Sequence, residues 1–296
     1  MRRYILCALP LLLLLPVARA DILGTAASFA VLGGSTVTNT GTTTIHGNLG
    51  VSPGTAVTGF FAVDGGPGIV TGTIYTGPGG VAGQAQSDLT TAYDTLFGLP
   101  YDIDLTGQDL GGQTLLPGVY RFDTSAQLTG TLTLDAQGSN NALWVFQIGK
   151  TLTTATSSVV QVINGGPNDG LFWQVGSSAT LGISTTFLGN ILASKSITLN
   201  TSAIIPCGRA LAEDGSVTLD SNVISTACTA IPEWSESQAR ELGGPGTGLS
   251  NPANNSAGAY APSPVPEPGA LLLFATCVAS LAMRKWARSK PQNHGA

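Results

Sequence analysis

A short pattern of alternating apolar and hydroxyl residues recurs through the middle of this chain. When the segments GTLTLDA, KTLTTATS, SATLGIS, SITLNTS and SVTLDSN are aligned, one threonine of each falls in the same column, namely Thr133, Thr153, Thr180, Thr198 and Thr218. Such alternation over four or five positions predicts a half-buried strand. A strand this short buries its apolar side only if neighbouring copies stack on it. The repeat therefore predicts a solenoid.

The length of the repeat predicts how many sides the solenoid has. A unit of roughly 20 residues accommodates three short strands and three tight corners, and the 39 glycines of the chain supply residues for such corners. The segments NALWVFQIG, VVQVI, LFWQVG and TFLGNILA are typical of further strands. A β-sandwich also contains many short strands, but it would not keep a threonine column in register.

One segment has the pattern of a helix. Apolar residues recur at three- and four-residue steps between 82 and 97, and Gly98 and Pro100 follow as stop signals. We expect this amphipathic helix to pack along one flank of the solenoid.

The two ends of the chain are typical of targeting segments. Residues 1–20 combine a basic start, a short apolar run and Ala18-Arg19-Ala20, as in a secretory signal peptide. An amino-terminal membrane anchor is the alternative, although the apolar run is short for one. Residues 231–263 are rich in Gly, Pro, Ser and Asn and predict a flexible linker.

The carboxyl-terminal end has three parts in order. Within residues 264–290, the tripeptide Pro266, Glu267, Pro268 precedes an apolar segment (269–283) and a basic cluster, and residues 291–296 form a tail. This arrangement resembles the PEP-CTERM sorting signal of Gram-negative bacteria. The resemblance implies transient membrane anchoring, processing by an exosortase-type protease, and a final location outside the cell or on its surface. A plain membrane anchor remains the alternative.

Charge and cysteine content limit the possible functions. Between residues 21 and 263 five basic residues face sixteen acidic ones, a net charge near −11, which argues against nucleic acid as a partner. After the leader and the tail are set aside, Cys207 and Cys228 remain. In an oxidising exterior we expect them to pair, with a metal site as the alternative.

Residues for catalysis or cofactor binding are poorly represented. His46 is the one histidine of residues 21–263, and the glycine clusters lack the context of a phosphate loop. Asp102, Asp104 and Asp109 could together bind calcium, but their spacing matches no known loop. We therefore expect no enzyme, no cofactor and no metal site.

Several longer segments carry a family resemblance. ILGTAASFAVLGGSTVTNTGTTTIHGNLGVSPG, LPGVYRF, FWQVGSSATLGISTTFLGNILA and GRALAEDGSVTLDSN resemble the microbial ice-binding protein family over about residues 21–230. The resemblance implies an all-β, right-handed discontinuous β-helix of triangular section, a three-sided solenoid with one long α-helix alongside. In such a fold the first coil of the chain does not stack on the second. The implied function is that of a secreted, monomeric protein that adsorbs to ice crystals and inhibits their growth or recrystallisation. The dipeptide Pro206-Cys207 departs from the family pattern.

Two columns of hydroxyl side chains are candidates for the ice-binding surface. The first is the threonine column above, flanked by Thr131 and Thr151. The second lies four residues later and resembles the family motif Thr-Ala/Gly-x-Thr/Asn; with its neighbours it comprises Thr154, Thr156, Ser157, Ser184, Thr201, Ser202 and Asn222.

Outward threonine ladders also stabilise sheets that bind nothing. The alternative function is therefore a structural or adhesive protein of the cell surface or biofilm matrix, with exopolysaccharide as a partner. A carbohydrate-active β-helix enzyme is a third possibility, but no cluster of acids or bases supports it.

Overall fold

The computed structural model describes residues 22–166 and 168–228. The predicted signal peptide (1–20), linker (231–263), and sorting signal and tail (264–296) lie outside the described residues. Within the described ranges, no helix is long and apolar enough to cross a membrane.

The described chain consists mainly of short strands that pair in parallel. A 3-10 helix (Gly24–Ser28) precedes the first strand, and the α-helices are α1 (Phe61–Asp64) and α2 (Gly80–Phe97). The strands are β1 (Phe29–Gly33), β2 (Thr36–Asn39), β3 (Thr44–His46), β4 (Asn48–Val51), β5 (Ala56–Thr58), β6 (Ile69–Val70), β7 (Ile74–Thr76), β8 (Ile103–Asp104), β9 (Thr114–Leu115), β10 (Gly118–Phe122), β11 (Ala126–Leu128), β12 (Thr131–Asp135), β13 (Leu143–Ile148), β14 (Leu152–Thr154), β15 (Val159–Ile163), β16 (Gly170–Val175), β17 (Ala179–Leu181), β18 (Thr186–Ala193), β19 (Ile197–Leu199), β20 (Ile204–Ala212), β21 (Val217–Leu219) and β22 (Val223–Ser225).

These strands form the three sides of a β-solenoid. The threonine face has the order β11-β14-β17-β19-β21-β2-β5. The bulged face comprises β9, β12, β15, the beginnings of β18 and β20, then β22, β3 and β6, and its register shifts between Thr186 and Leu188. The helix face comprises β8, β10, β13, β16, the ends of β18 and β20, then β1, β4 and β7. The three-sided solenoid predicted from the repeat is confirmed.

The order of the coils along the solenoid differs from their order in the chain. The amino-terminal strands stack on the carboxyl-terminal ones: β1 pairs with β20, β2 with β21 and β3 with β22. We call the junction between these two sets of strands the seam. The expectation that the first coil does not stack on the second is wrong, because β1 pairs with β4, β2 with β5 and β3 with β6. The discontinuity comes later: the chain passes from these amino-terminal coils to the opposite end of the stack through α2, and in this form the discontinuous order is confirmed.

The interior contains a stack of aromatic rings. The ring of Trp173 lies 4.0 Å from that of Phe146 and 4.9 Å from that of Phe187, and the ring of Tyr120 lies 5.4 Å from that of Phe146. Trp144 and Trp173 are completely buried. Tyr120, Phe146 and Trp173 come from the neighbouring strands β10, β13 and β16 of three successive coils, and Phe187 comes from the start of β18, so the stack joins these coils through one continuous contact.

Helix α2 covers the helix face. It starts at Gly80, two residues before the predicted start, and it buries Ala82, Ala85, Leu89, Ala92 and Leu96. These residues pack against apolar side chains that project from the outer side of the helix face, including Leu32, Val145, Leu192 and Leu211. This side of the solenoid is therefore closed to any large flat ligand.

The cysteines and the acidic segment serve the fold. Cys207 and Cys228 form a disulfide, so pairing is confirmed and the metal alternative for them is wrong.

The three aspartates of the acidic segment accept backbone amides. Asp102 accepts the Val119 amide, Asp104 the Thr106 amide, and Asp109 the amides of Gly111 and Thr129. The calcium interpretation of these three residues is contradicted, because no group of three metal-binding side chains occurs within the described residues.

Candidate functional site

A ladder of six threonines runs along the threonine face. Register places Thr153, Thr180, Thr198, Thr218, Thr38 and Thr58 side by side on consecutive strands. Since adjacent strands are about 4.8 Å apart, the ladder spans roughly 24 Å. Gln127 occupies the equivalent position on the next strand, β11.

A second row of small side chains, polar except for Ala56, runs beside the ladder, two residues before each ladder threonine. The Thr151 hydroxyl donates to the Ser125 hydroxyl over 2.8 Å. The Ser178 and Ser196 hydroxyls accept the amides of Ser196 and Ser216 over 3.3 and 3.2 Å. These bonds fix the side chains of the row in one orientation.

The alternation of the strands decides which threonines face outward. Leu181, Leu199 and Leu219 point into the core and are at most 1% exposed. Thr154 is likewise buried; its hydroxyl bonds to that of Thr185 and accepts the Gly182 amide, both at 2.8 Å. Thr154 is therefore an interior residue, and its proposed place on the binding surface is wrong.

Thr131 and Thr133 belong to a different side of the solenoid. They lie on β12, where Thr133 pairs with Gln161 and Thr114 on the bulged face. Gly130, which has φ +89°, follows β11 and turns the chain to that face. The single column that included Thr133 is thus corrected: Gln127 takes its place, and Thr131 and Thr133 lie around the corner.

The second predicted column lies at a corner. Ser157, Ser184 and Ser202 have φ values of +57°, +56° and +61°, in the left-handed region, between the threonine and bulged faces. The fourth member is Ser221, with φ +57°, because the last corner is one residue shorter than the others. These serines therefore turn the chain and do not lie on a flat strand surface.

That shorter corner moves Asn222 into the interior. Its side chain is completely buried, and its amide donates to the carbonyls of Asn200 and Ala203 over 2.9 Å each. The prediction of Asn222 as a surface residue is wrong. Thr156 and Thr201 remain exposed at the same corner, where they border the threonine face.

Charged residues lie at the margins of the threonine face. Lys195 and Asp214 form an exposed ion pair at 2.8 Å just before the second row. Asp220, two residues after Thr218, accepts the Thr201 hydroxyl at 2.5 Å. Asp220 lies in the middle part of the stack, because β21 lies between β19 and β2. The two rows themselves contain no charged residue.

Burial makes Glu213 sensitive to pH. Burial raises the pKa of the Glu213 carboxyl. A hydrogen bond with the Thr90 side chain opposes this shift, and the negative charges of Asp214 and Asp94 add to it. Because the folded state holds this proton more tightly, the contribution of Glu213 to stability is greatest below its ordinary pKa of 4.5 and is lost as pH rises through the folded value. We therefore expect Glu213→Gln to raise the Tm by on the order of 1–3 °C at pH 7, measured by thermal unfolding between pH 3 and pH 8.

A substitution with the opposite expected effect on the Tm serves as the control for Glu213. A side-chain bond from Asn164 lowers the pKa of Asp135, so Asp135→Asn should lower the Tm at neutral pH and have little effect at low pH. An unchanged or lower Tm for Glu213→Gln at pH 7 would contradict the assignment.

The sequence interpretation missed the amino-terminal part of the ladder. Thr38 and Thr58 alternate with the buried Val37 and Val57, a local strand signal that is visible in TVTN and AVT. Nothing in the local pattern shows, however, that this strand pairs with Thr218, which lies 180 residues further along the chain.

The sequence of the chain is similar to those of known proteins. A family model described as Ice-binding-like matches residues 31–225, and one described as PEP-CTERM protein-sorting motif matches residues 264–288. An ice-binding protein of Nostoc sp. (strain HG1) is 58% identical over 217 residues, which cover 73% of this chain and 78% of that protein. The sorting motif indicates export to the exterior or the cell surface.

Solved structures show the same fold. The crystal structure of an ice-binding protein from the Antarctic ascomycete Antarctomyces psychrotrophicus aligns with a TM-score of 0.64 and 39% identity, covering 70% of this chain and 98% of that one. An ice binding protein from an Antarctic biological consortium aligns with a TM-score of 0.63 and 42% identity, covering 69% and 89%.

Proposed function

Because the chain belongs to the ice-binding-like family, we propose that it adsorbs to ice through its threonine face and thereby inhibits ice growth or recrystallisation. The observation that carries this proposal is the uncharged, six-residue threonine ladder on a face that α2 leaves open. The proposed contact comprises the ladder and the second row, bordered by the corner residues Thr156 and Thr201.

The spacing of the ladder supports ordered water. Adjacent strands provide a repeat of about 4.8 Å, and residues i and i+2 of one strand lie about 6.6–7 Å apart. Each threonine presents a methyl group, which restricts the orientation of nearby water, and a hydroxyl, which bonds to it. Charged groups would instead hold water in shells incompatible with ice, and here they are confined to the margins.

Affinity would arise from many weak contacts made at once. A surface that is already rigid avoids the cost of ordering side chains on binding. The threonine face meets this requirement because its strands are in continuous register, its second row is hydrogen-bonded, and buried leucines support it from beneath.

The direct test is the growth of a single ice crystal in a solution of the purified protein. We expect a faceted crystal and a gap between the melting and freezing temperatures. An unshaped disc that grows without such a gap would contradict the proposal and favour a structural role at the cell surface.

The sorting motif supports a second part of the proposal, which concerns the export and processing of the protein. We infer that a Gram-negative host exports a 21–230 solenoid, that an exosortase-type protease processes the tail after transient membrane anchoring, and that the linker 231–263 spaces the solenoid from it. The acidic character of the exported chain disfavours nucleic acid as a partner. We propose that the protein acts as a monomer without catalytic activity, and that exopolysaccharide is a partner where the protein stays at the surface.

A further inference from the structure

The disulfide closes one complete coil of the solenoid into a ring. Cys207 lies on β20 and Cys228 lies three residues beyond β22, with a sequence separation of 21. Between them lie the end of β20 on the helix face, β21 on the threonine face and β22 on the bulged face. Residues 207–228 thus form a covalently closed triangle, which we call the closed coil.

The closed coil is the surface on which the amino-terminal coils stack. Its three strands provide every strand partner at the seam: Ala210 pairs with Val31, Thr218 with Thr38 and Ile224 with Ile45. The chain itself does not pass from coil to coil there, so backbone hydrogen bonds and side-chain packing hold the two halves together.

Strand β22 is the part of the closed coil most in need of a constraint. It is three residues long and is the last strand of the described chain, yet it is inserted between β20 and β3. Beyond it, the amide and hydroxyl of Thr226 both donate to the His46 carbonyl, at 3.1 and 3.3 Å. The disulfide follows two residues later and prevents this end of the chain from separating from the stack.

We propose that Cys207 and Cys228 are positioning residues for the ice-binding surface. By closing the coil that carries Thr218, they keep Thr38 and Thr58 in register with the other four threonines of the ladder. Opening the disulfide lets β22 fray, loosens the stacking of β3 and β2, and shortens the ordered ladder to Thr153–Thr218. This inference rests on the proposed function only for its effect on ice.

Hydrogen exchange of the full-length protein carrying Cys207→Ser and Cys228→Ser tests the structural part. At 4 °C we expect amides of β22, β3 and β2 to exchange on the order of 10- to 100-fold faster than in the disulfide-bonded protein. Amides of β14 and β17, far from the seam, should change little. A uniform rise across all strands, or no change at the seam, would overturn the proposal.

Thermal hysteresis of the same protein tests the functional part. We expect its activity to fall toward, but not below, the level of the Thr38→Tyr, Thr58→Tyr protein, which loses the same end of the ladder, and the contact at neighbouring Thr218, while keeping the disulfide. The matched control is Leu132→Ala, which removes a buried side chain on β12 and lowers stability away from the seam. At 0 °C this control should keep full activity.

The possible outcomes separate the two proposals. Equal loss of activity in the Leu132→Ala and the serine proteins would mean that general stability is responsible, and would overturn the positioning role. If the unmodified protein has no effect on ice, the proposed function fails, and the exchange experiment still decides whether the disulfide orders the seam.

Discussion

Thr180→Tyr combined with Thr198→Tyr is expected to weaken adsorption to ice roughly tenfold or more, which corresponds to a loss of about 1.4 kcal/mol or more of adsorption free energy, and therefore to lower thermal hysteresis strongly. These two threonines occupy neighbouring central strands of the ladder, so the rings hold ice away from residues on both sides. Tyrosine is well accepted at outward strand positions, and we expect the fold to remain intact. The measurement is thermal hysteresis at equal protein concentration, with circular dichroism to confirm folding.

Two matched double variants show which surface acts. Thr133→Tyr with Gln161→Tyr places the same rings on adjacent strands of the bulged face and should leave activity nearly unchanged. Thr156→Tyr with Thr201→Tyr alters the exposed corner, and we expect a partial loss. Full activity of the Thr180, Thr198 variant, or loss confined to the bulged face, would refute the assignment of the threonine face.

Trp173→Ala is expected to have the largest effect on stability, about 3–5 kcal/mol in the free energy of unfolding. The side chain is completely buried between Phe146 and Phe187, and its indole nitrogen donates to the Leu188 carbonyl over 2.9 Å. Its removal leaves a cavity between coils and an unpaired carbonyl. Urea unfolding followed by circular dichroism measures the loss.

Two further substitutions serve as controls for Trp173→Ala, one at the same position and one at an exposed corner. Trp173→Phe keeps a ring in the stack and should recover more than half of the lost stability. Ile183→Ala, at a corner residue that is 50% exposed, should change the free energy of unfolding by less than about 0.5 kcal/mol. A cost below about 1 kcal/mol for Trp173→Ala would show that the aromatic stack does not support the coils in the way inferred.

The fold could be predicted from the sequence because each coil repeats the same alternation of buried apolar and exposed hydroxyl residues. The alternation around Thr153, Thr180, Thr198 and Thr218 states which side of each strand is buried, and the structure keeps all four in one register. The same reasoning located α2 from its buried stripe and paired the cysteines from their redox setting.

The prediction failed where local pattern carries no information on corners or on long-range pairing. Thr133 has the same neighbours in sequence as the ladder residues, but the turn at Gly130 sends it to another face. A single missing residue before Asn222 reverses the direction of its side chain. Thr38 joins the ladder only through a pairing between distant parts of the chain, which the family resemblance implied in outline but not in register.

The position of the chain ends follows from the discontinuous order of the coils. The guanidinium of Arg209 donates to the carbonyl of Ala27, near the start of the described chain, and Cys228, at its end, is bonded to Cys207. Both ends of the described chain are therefore attached to β20, at residues within three positions of each other. Strand β20 lies between other coils and not at either end of the stack. An inserted coil of some twenty residues between β14 and β17 would lengthen the threonine face by one strand and leave both ends of the described chain attached to β20. Evolution or engineering can thus adjust the size of the template without changing where the two ends of the solenoid leave the stack.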